Sequence, residues 1–167
     1  MYVTPANLLE MYGAAEMAGI SRPDDIAADI RVTGELLRVT ASAGDRSAWS
    51  AEEREAADRC LARIEAAIGQ ASMRIDSHLS RRYVLPLSAG MVAANPLKQI
   101  CGDLVRWMLD DDTVQDATKA RYQDALRWLD QVQRGEALLA PETTSPSGGA
   151  GGIATIPGAT FFRAGGF

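Results

Sequence analysis

The chain has 167 residues, 47% of them hydrophobic and 23% charged, the proportions of an ordinary globular domain with one core. Seventeen basic against 22 acidic side chains leave a formal net charge of -5 and a pI near 4.9, so no overall cationic field draws it onto nucleic acid or anionic lipid. The uncharged stretch from Tyr83 to Leu97 is broken by Pro86 and Gly90 and falls short of the roughly 20 apolar residues of a membrane helix.

In chain order, Met1-Tyr2-Val3-Thr4-Pro5 lacks the basic start and apolar core of a secretory signal, and the chain is expected to stay in the compartment where it is made. Thr4 as a cap and Pro5 in the first turn predict a short helix to about Tyr12, ended by Gly13 in a left-handed conformation. Residues 21–49 are punctuated by Pro, Asp, Gly and Ser and read as a surface excursion with helical pieces, one of them over Glu35 to Val39 behind Thr33. Ser50 with Glu53 forms a capping box that opens one long helix to about Arg82. Its stripe of Ala57, Cys60, Leu61, Ile64, Ala67, Ile68, Ala71, Ile75 and Leu79 recurs at spacings of three and four. At 1.5 Å per residue it spans roughly 48 Å, more than a body this size needs for its own packing, so part of the stripe, Ile64 and Ile68 included, is expected to face a neighbouring subunit.

Tyr83 to Leu97 reads as a loop. Asn95 as cap and Pro96 in the first turn then predict a core helix through Leu97, Ile100, Cys101, Leu104, Val105, Met108 and Leu109, ending at Asp110-Asp111-Asp112. A third amphipathic helix from about Gln115 to Arg134 presents Tyr122, Ala125, Leu126, Leu129 and Val132 and stops at Gly135. Trp107 and Trp128 lie beside the main stripes, at the edge of the core or between copies. The last 27 residues, Pro141 to Phe167, hold seven Gly and three Pro, with only Glu142 and Arg163 charged. Such a segment buries too little to offset its ordering entropy. All three phenylalanines are in it, which points to anchors for pockets on another molecule.

Catalytic chemistry finds little footing. His78, the one histidine, lies two residues from Asp76, and helical residues two apart point in different directions, so Asp76 is poorly placed to orient it. Cys60 and Cys101, each on an apolar helix face, read as buried reduced thiols, and with one histidine they offer no zinc spacing. The aspartate run lacks the alternation and glycine of a calcium loop. Gly148-Gly149-Ala150-Gly151-Gly152 lacks the strand, helix and lysine of a phosphate cradle and reads as a linker. Arg81 and Arg82 complement the C-terminus of the long helix.

Several strings converge on a known family: Met1-Tyr2-Val3-Thr4 with Leu8; Ile75-Asp76; Arg82-Tyr83-Val84-Leu85-Pro86-Leu87; Cys101-Gly102-Asp103-Leu104 through Arg106 and Leu109; Arg121-Tyr122-Gln123-Asp124-Ala125-Leu126-Arg127-Trp128-Leu129 ending at Gly135; and Gly165-Gly166-Phe167. In this order they resemble the Mu-like bacteriophage neck proteins, over most of Met1 to Gly135 and the last few residues. The resemblance implies a head-tail adaptor: an all-helical subunit in a twelvefold ring beneath the portal of the capsid. Its implied partners are the portal protein, neighbouring copies and a tail-side stopper or terminator, with DNA only as passing cargo and no membrane. The 21–49 stretch is longer than in compact members, and the family supplies no catalytic residue.

The combined expectation is an all-α small helical bundle (1–140) with one long helix and an extended Gly-rich C-terminal docking tail (141–167). It is a structural virion component made in the bacterial cytoplasm, without enzyme activity, cofactor or metal. The docking residues are Ile153, Ile156, Phe161, Phe162, Arg163 and Phe167, by strand addition through Ile153 to Arg163. The inter-subunit candidates are Trp107, Trp128, Ile64 and Ile68. A rival reading, the DNA-recognition subunit of a packaging machine, requires a basic recognition helix. The third helix instead mixes Lys119, Arg121, Arg127 and Arg134 with Asp124 and Asp130. A small enzyme using His78 or a cysteine is the second rival.

Overall fold

The computed structural model describes residues 1–110 and 115–141. Seven helices and no strand occur among the described residues: α1 (Pro5–Tyr12), α2 (Ala14–Ile20), α3 (Gly34–Ala41), α4 (Ala51–Leu79), α5 (Ala89–Ala93), α6 (Leu97–Leu109) and α7 (Asp116–Arg134). The fold is all-α, as the helical periodicity predicts.

Local chemistry starts three of these helices. Thr4 Oγ1 accepts from the Asn7 amide at 3.3 Å while Asn7 Oδ1 accepts from the Thr4 amide at 3.2 Å. Ser50 and Glu53 make the same reciprocal pair at 3.1 and 2.9 Å, and Thr33 Oγ1 accepts from the Leu36 amide. Each satisfies N–H groups that a helix start leaves without partners. At the other end of α7, Gly135 adopts φ 80 and ψ 17, the left-handed cap expected there.

Gly13 departs from expectation. Its φ is positive at 88, but ψ is 134, so the chain turns sharply instead of capping left-handed, and α2 starts one residue later. That helix was not anticipated, nor was the single turn of α5, capped by Ser88, in the stretch read as a loop. The long helix ends at Leu79, three residues short of Arg82.

α4 is the axis, packed against α1, α3, α6 and α7, while α6 lies on α7 and α2 on α3. One apolar core runs through the body from Tyr2 and Leu8 past Ile64, Ile68 and Ile75 to Leu104 and Leu129. Burying each such aliphatic side chain contributes about 1.5–3 kcal/mol. The 21–49 stretch carries α3, whose Leu36 and Leu37 are fully buried and which docks on α4.

This docking corrects the expected subunit contacts. Ile64 and Ile68 have no exposed surface within a single chain, so they cannot meet a neighbour. The whole stripe is used within one chain, because the short helices α1 and α3 pack on α4 together with α6 and α7.

Candidate interaction surfaces

Where α1, α6 and α7 meet, an open groove of about 700 Å³ is lined by Met11 and Tyr12 from α1, Pro96, Gln99, Ile100 and Asp103 at the start of α6, and Arg121, Asp124, Ala125 and Trp128 from α7. Gly102 makes this approach possible: a Cβ there would lie 2.8 Å from the Tyr12 hydroxyl and 2.9 Å from Met11 Cε. Beneath the apolar walls is a polar seam. The Tyr12 hydroxyl donates to Asp103 Oδ1 at 2.9 Å. Gln99 Nε2 donates to both carboxylate oxygens of Asp103, at 3.1 and 3.2 Å. Arg106 sits 5.3 Å from the centre of the Tyr12 ring and pairs with Glu16 at 2.6 Å. Burial, then the charge of Asp103, pushes the Tyr12 phenol well above its ordinary range, so the ring stays neutral and donating. Trp128 is half-buried along this wall.

Trp107 is spent differently. Its ring stacks on Tyr122 with centroids 4.6 Å apart and planes 15° from parallel, and the Arg74 guanidinium lies 5.9 Å from the Tyr122 centroid. This cluster ties α4, α6 and α7 together and remains half-exposed, with Met73, 66% exposed, beside Arg74 in sequence.

His78 stands at the seam of α4 and α7, its Nδ1 3.2 Å from Gln133 Oε1 and 3.3 Å from Asp130 Oδ1. Asp76 turns elsewhere and accepts a hydrogen bond from the Tyr2 hydroxyl, as the helical spacing required. The carboxylate that does reach His78 comes from 52 positions away in sequence and left no local signal. Cys60 and Cys101 are free, buried thiols, beside the hydroxyls of Ser21 and Ser72 respectively, and burial pushes Cys101 up to about 11. Among the described residues no group of three His, Cys, Asp or Glu is placed to hold a metal, and no helix is long and apolar enough to cross a membrane.

The third surface is the root of the C-terminal segment. Arg82 donates to the carbonyls of Gln133 and Arg134, both at 3.2 Å. It therefore complements the C-terminus of α7, not of α4 as expected. The Tyr83 hydroxyl accepts from the Leu139 amide at 2.9 Å. Asn95 holds the next residue on both sides: Oδ1 accepts from the Ala140 amide at 2.8 Å and Nδ2 donates to the Ala140 carbonyl at 3.1 Å. A role as helix cap was expected of Asn95, but Pro96 takes the cap position and α6 starts without a side-chain cap. Val84, 91% exposed, and Leu138, 71% exposed, flank these ties in sequence. The docking residues Ile153, Ile156, Phe161, Phe162, Arg163 and Phe167 lie outside the described residues.

The family model described as Bacteriophage Mu, Gp36 matches residues 2–155. The chain belongs to the bacteriophage Mu Gp36 family. Among its relatives is the Mu-like prophage FluMu protein gp36 of Haemophilus influenzae, 30% identical over 104 residues, 62% of this chain and 70% of that protein. Another is Gene product J of Escherichia phage Mu, 36% identical over 72 residues, 43% of this chain but only 49% of that protein. This is a protein of Mu-like bacteriophages. Of the residues singled out from sequence, Trp107 and Trp128 fall on two different faces, one closing a seam and one lining a groove.

Proposed function

We propose that this Gp36-family chain is a structural subunit of the virion neck, a head-tail adaptor. It forms a ring, twelvefold by the family resemblance, beneath the portal protein, and joins it to a tail-side stopper or terminator. DNA passes through without being held. The family match across nearly the whole chain carries this reading, and the build of the molecule supports it. The helical body fixes the root of its C-terminal segment through Tyr83 and Asn95, and the segment beyond holds every phenylalanine of the chain.

The charge distribution favours a head-to-tail contact between neighbours. The first 58 residues hold 11 acidic and five basic side chains, whereas residues 59–141 hold 10 acidic and 11 basic. Glu52 and Glu55 line one shallow pocket on the acidic part, beside Asp25, which is paired with Arg59. Unlike surfaces pair heterologously, and heterologous contacts close into rings. The half-exposed Trp107–Tyr122 stack supplies an apolar element for that interface. The negative net charge of each copy, -5, disfavours adhesion of DNA to the ring.

The test is the mass in solution of the full-length protein and of a version ending at Ala140, each mixed with the matching portal. Portal binding by the full-length chain alone is expected and assigns docking to the segment beyond 140. Equal binding by both removes that assignment; binding by neither removes the adaptor reading.

A further inference from the structure

The groove between α1, α6 and α7 is built for aromatic side chains and has no occupant within the helical body. Its walls are the rings of Tyr12 and Trp128 with Met11, Pro96, Ile100 and Ala125. Aromatic faces and a thioether are the surfaces against which another aromatic ring packs best. A volume of about 700 Å³ takes two phenyl rings. Asp124 stands on the rim, 69% exposed and paired with Arg127 at 2.9 Å, and Arg121 lines the same groove, so the charges there are already matched and the rings are what an occupant must supply.

One segment of this chain matches that description, and its root lies beside the groove. Ala140 is held from both sides by Asn95, and Pro96, the next residue, is part of the groove wall. Phe161-Phe162 supplies two adjacent rings. Twenty Cα-to-Cα steps lead from Pro141 to Phe161, which reach up to about 68 Å when fully extended, far more than the distance across a body of this size. Tethering over that length holds the two rings near the root at an effective concentration on the order of 1 mM. Under those conditions even a contact of millimolar strength is occupied about half the time.

We infer that this groove is the resting berth of the chain's own Phe161-Phe162 pair, with the two rings between Tyr12 and Trp128. The berth keeps the aromatic anchors covered in the free subunit and yields them when a tighter site is offered. The inference shares with the adaptor reading only the premise that these aromatics are anchors, and it stands or falls separately.

A nitroxide attached to Ala164→Cys tests it in the full-length protein, since Cys60 and Cys101 are fully buried and leave the introduced thiol as the reactive one. Strong line broadening is expected at the amides of Gln99 and Ala125 and at the Trp128 indole, unchanged on tenfold dilution and abolished by Phe161→Ala with Phe162→Ala. Met11→Glu, a change at the groove rim, is expected to remove the same broadening while leaving the other amide signals in place. Absence of broadening at the groove, or equal broadening over the whole body, overturns the proposal. So does broadening seen only when spin-labelled protein is mixed with isotope-labelled protein, because the occupant is then a second copy. Portal binding by the same variants reads the adaptor function independently: a groove occupied in a protein that ignores the portal sinks that function and leaves the berth.

Discussion

Tyr2 and Tyr12 each donate a phenolic proton to a carboxylate on another helix, Tyr2 to Asp76 on α4 and Tyr12 to Asp103 on α6. Burial is the main cause that raises both above their ordinary value of 10, and the adjacent carboxylate adds to it. The two thiols, ordinarily near 9, are raised as well, also by burial. All four groups are held neutral in the fold, so their contribution is complete below the unfolded values and is lost as pH rises past them. The urea midpoint is expected to be insensitive to these groups at neutral pH, to start falling near pH 9 and to fall more steeply above 10. Tyr2→Phe with Tyr12→Phe is expected to flatten the steeper part while lowering neutral stability by about 1–2 kcal/mol per lost hydrogen bond. An alkaline profile unchanged by the double substitution counts against these contacts. At this scale the sequence announces residue types but not partners: that Asp76 does not orient His78 was legible, yet Asp130, which faces it, was not.

Helix starts were the most legible elements, because a cap and its partner stand three residues apart and the signal is local. Thr4, Thr33 and Ser50 cap as their neighbours dictate. Ser50→Ala is expected to cost about 1 kcal/mol in chemical denaturation. Asn95 misled for the opposite reason: its partner is a backbone unit 45 positions away, and the Asn-Pro pair imitates a local cap. The excursion at 21–49 was opaque because its apolar residues are few and widely spaced, and their burial depends on α4. Gly34 gives that docking a sharp test. A Cβ at this first residue of α3 would fall 2.6 Å from the Ala15 amide nitrogen and 2.8 Å from the Ala14 carbonyl carbon, both backbone atoms. Gly34→Ala is therefore expected to push α3 from α2 and to destabilise by about 1–3 kcal/mol, whereas Gly69→Ala, with open space around its Cβ, is expected to stabilise α4 slightly through helix propensity. Equal effects of the two substitutions refute the docking argument.

For the whole molecule, length and patterning indicated one helical core, but the inference from a long apolar stripe to subunit contact failed because sequence does not show that the short helices α1 and α3 pack on α4. What survives as an external surface is smaller and more mixed: a stacked aromatic seam, an aromatic groove and an uneven spread of charge. If neighbours meet through unlike charge, self-association measured by sedimentation velocity is expected to weaken as salt rises from about 0.05 to 0.5 M, over which the screening length shortens about threefold. Association that strengthens with salt points instead to the apolar seam as the main contact.

The grip of Asn95 on Ala140 has a mechanical meaning. A pull on the chain beyond Pro141 meets, before it reaches the end of α7, two hydrogen bonds to one side chain that is itself tied to the Met91 carbonyl. The strain therefore enters the body at the junction of α5 and α6, as a rope is made fast to a cleat before it can drag on the mast. Whatever tension is placed on that segment, α7 is spared it until the cleat slips.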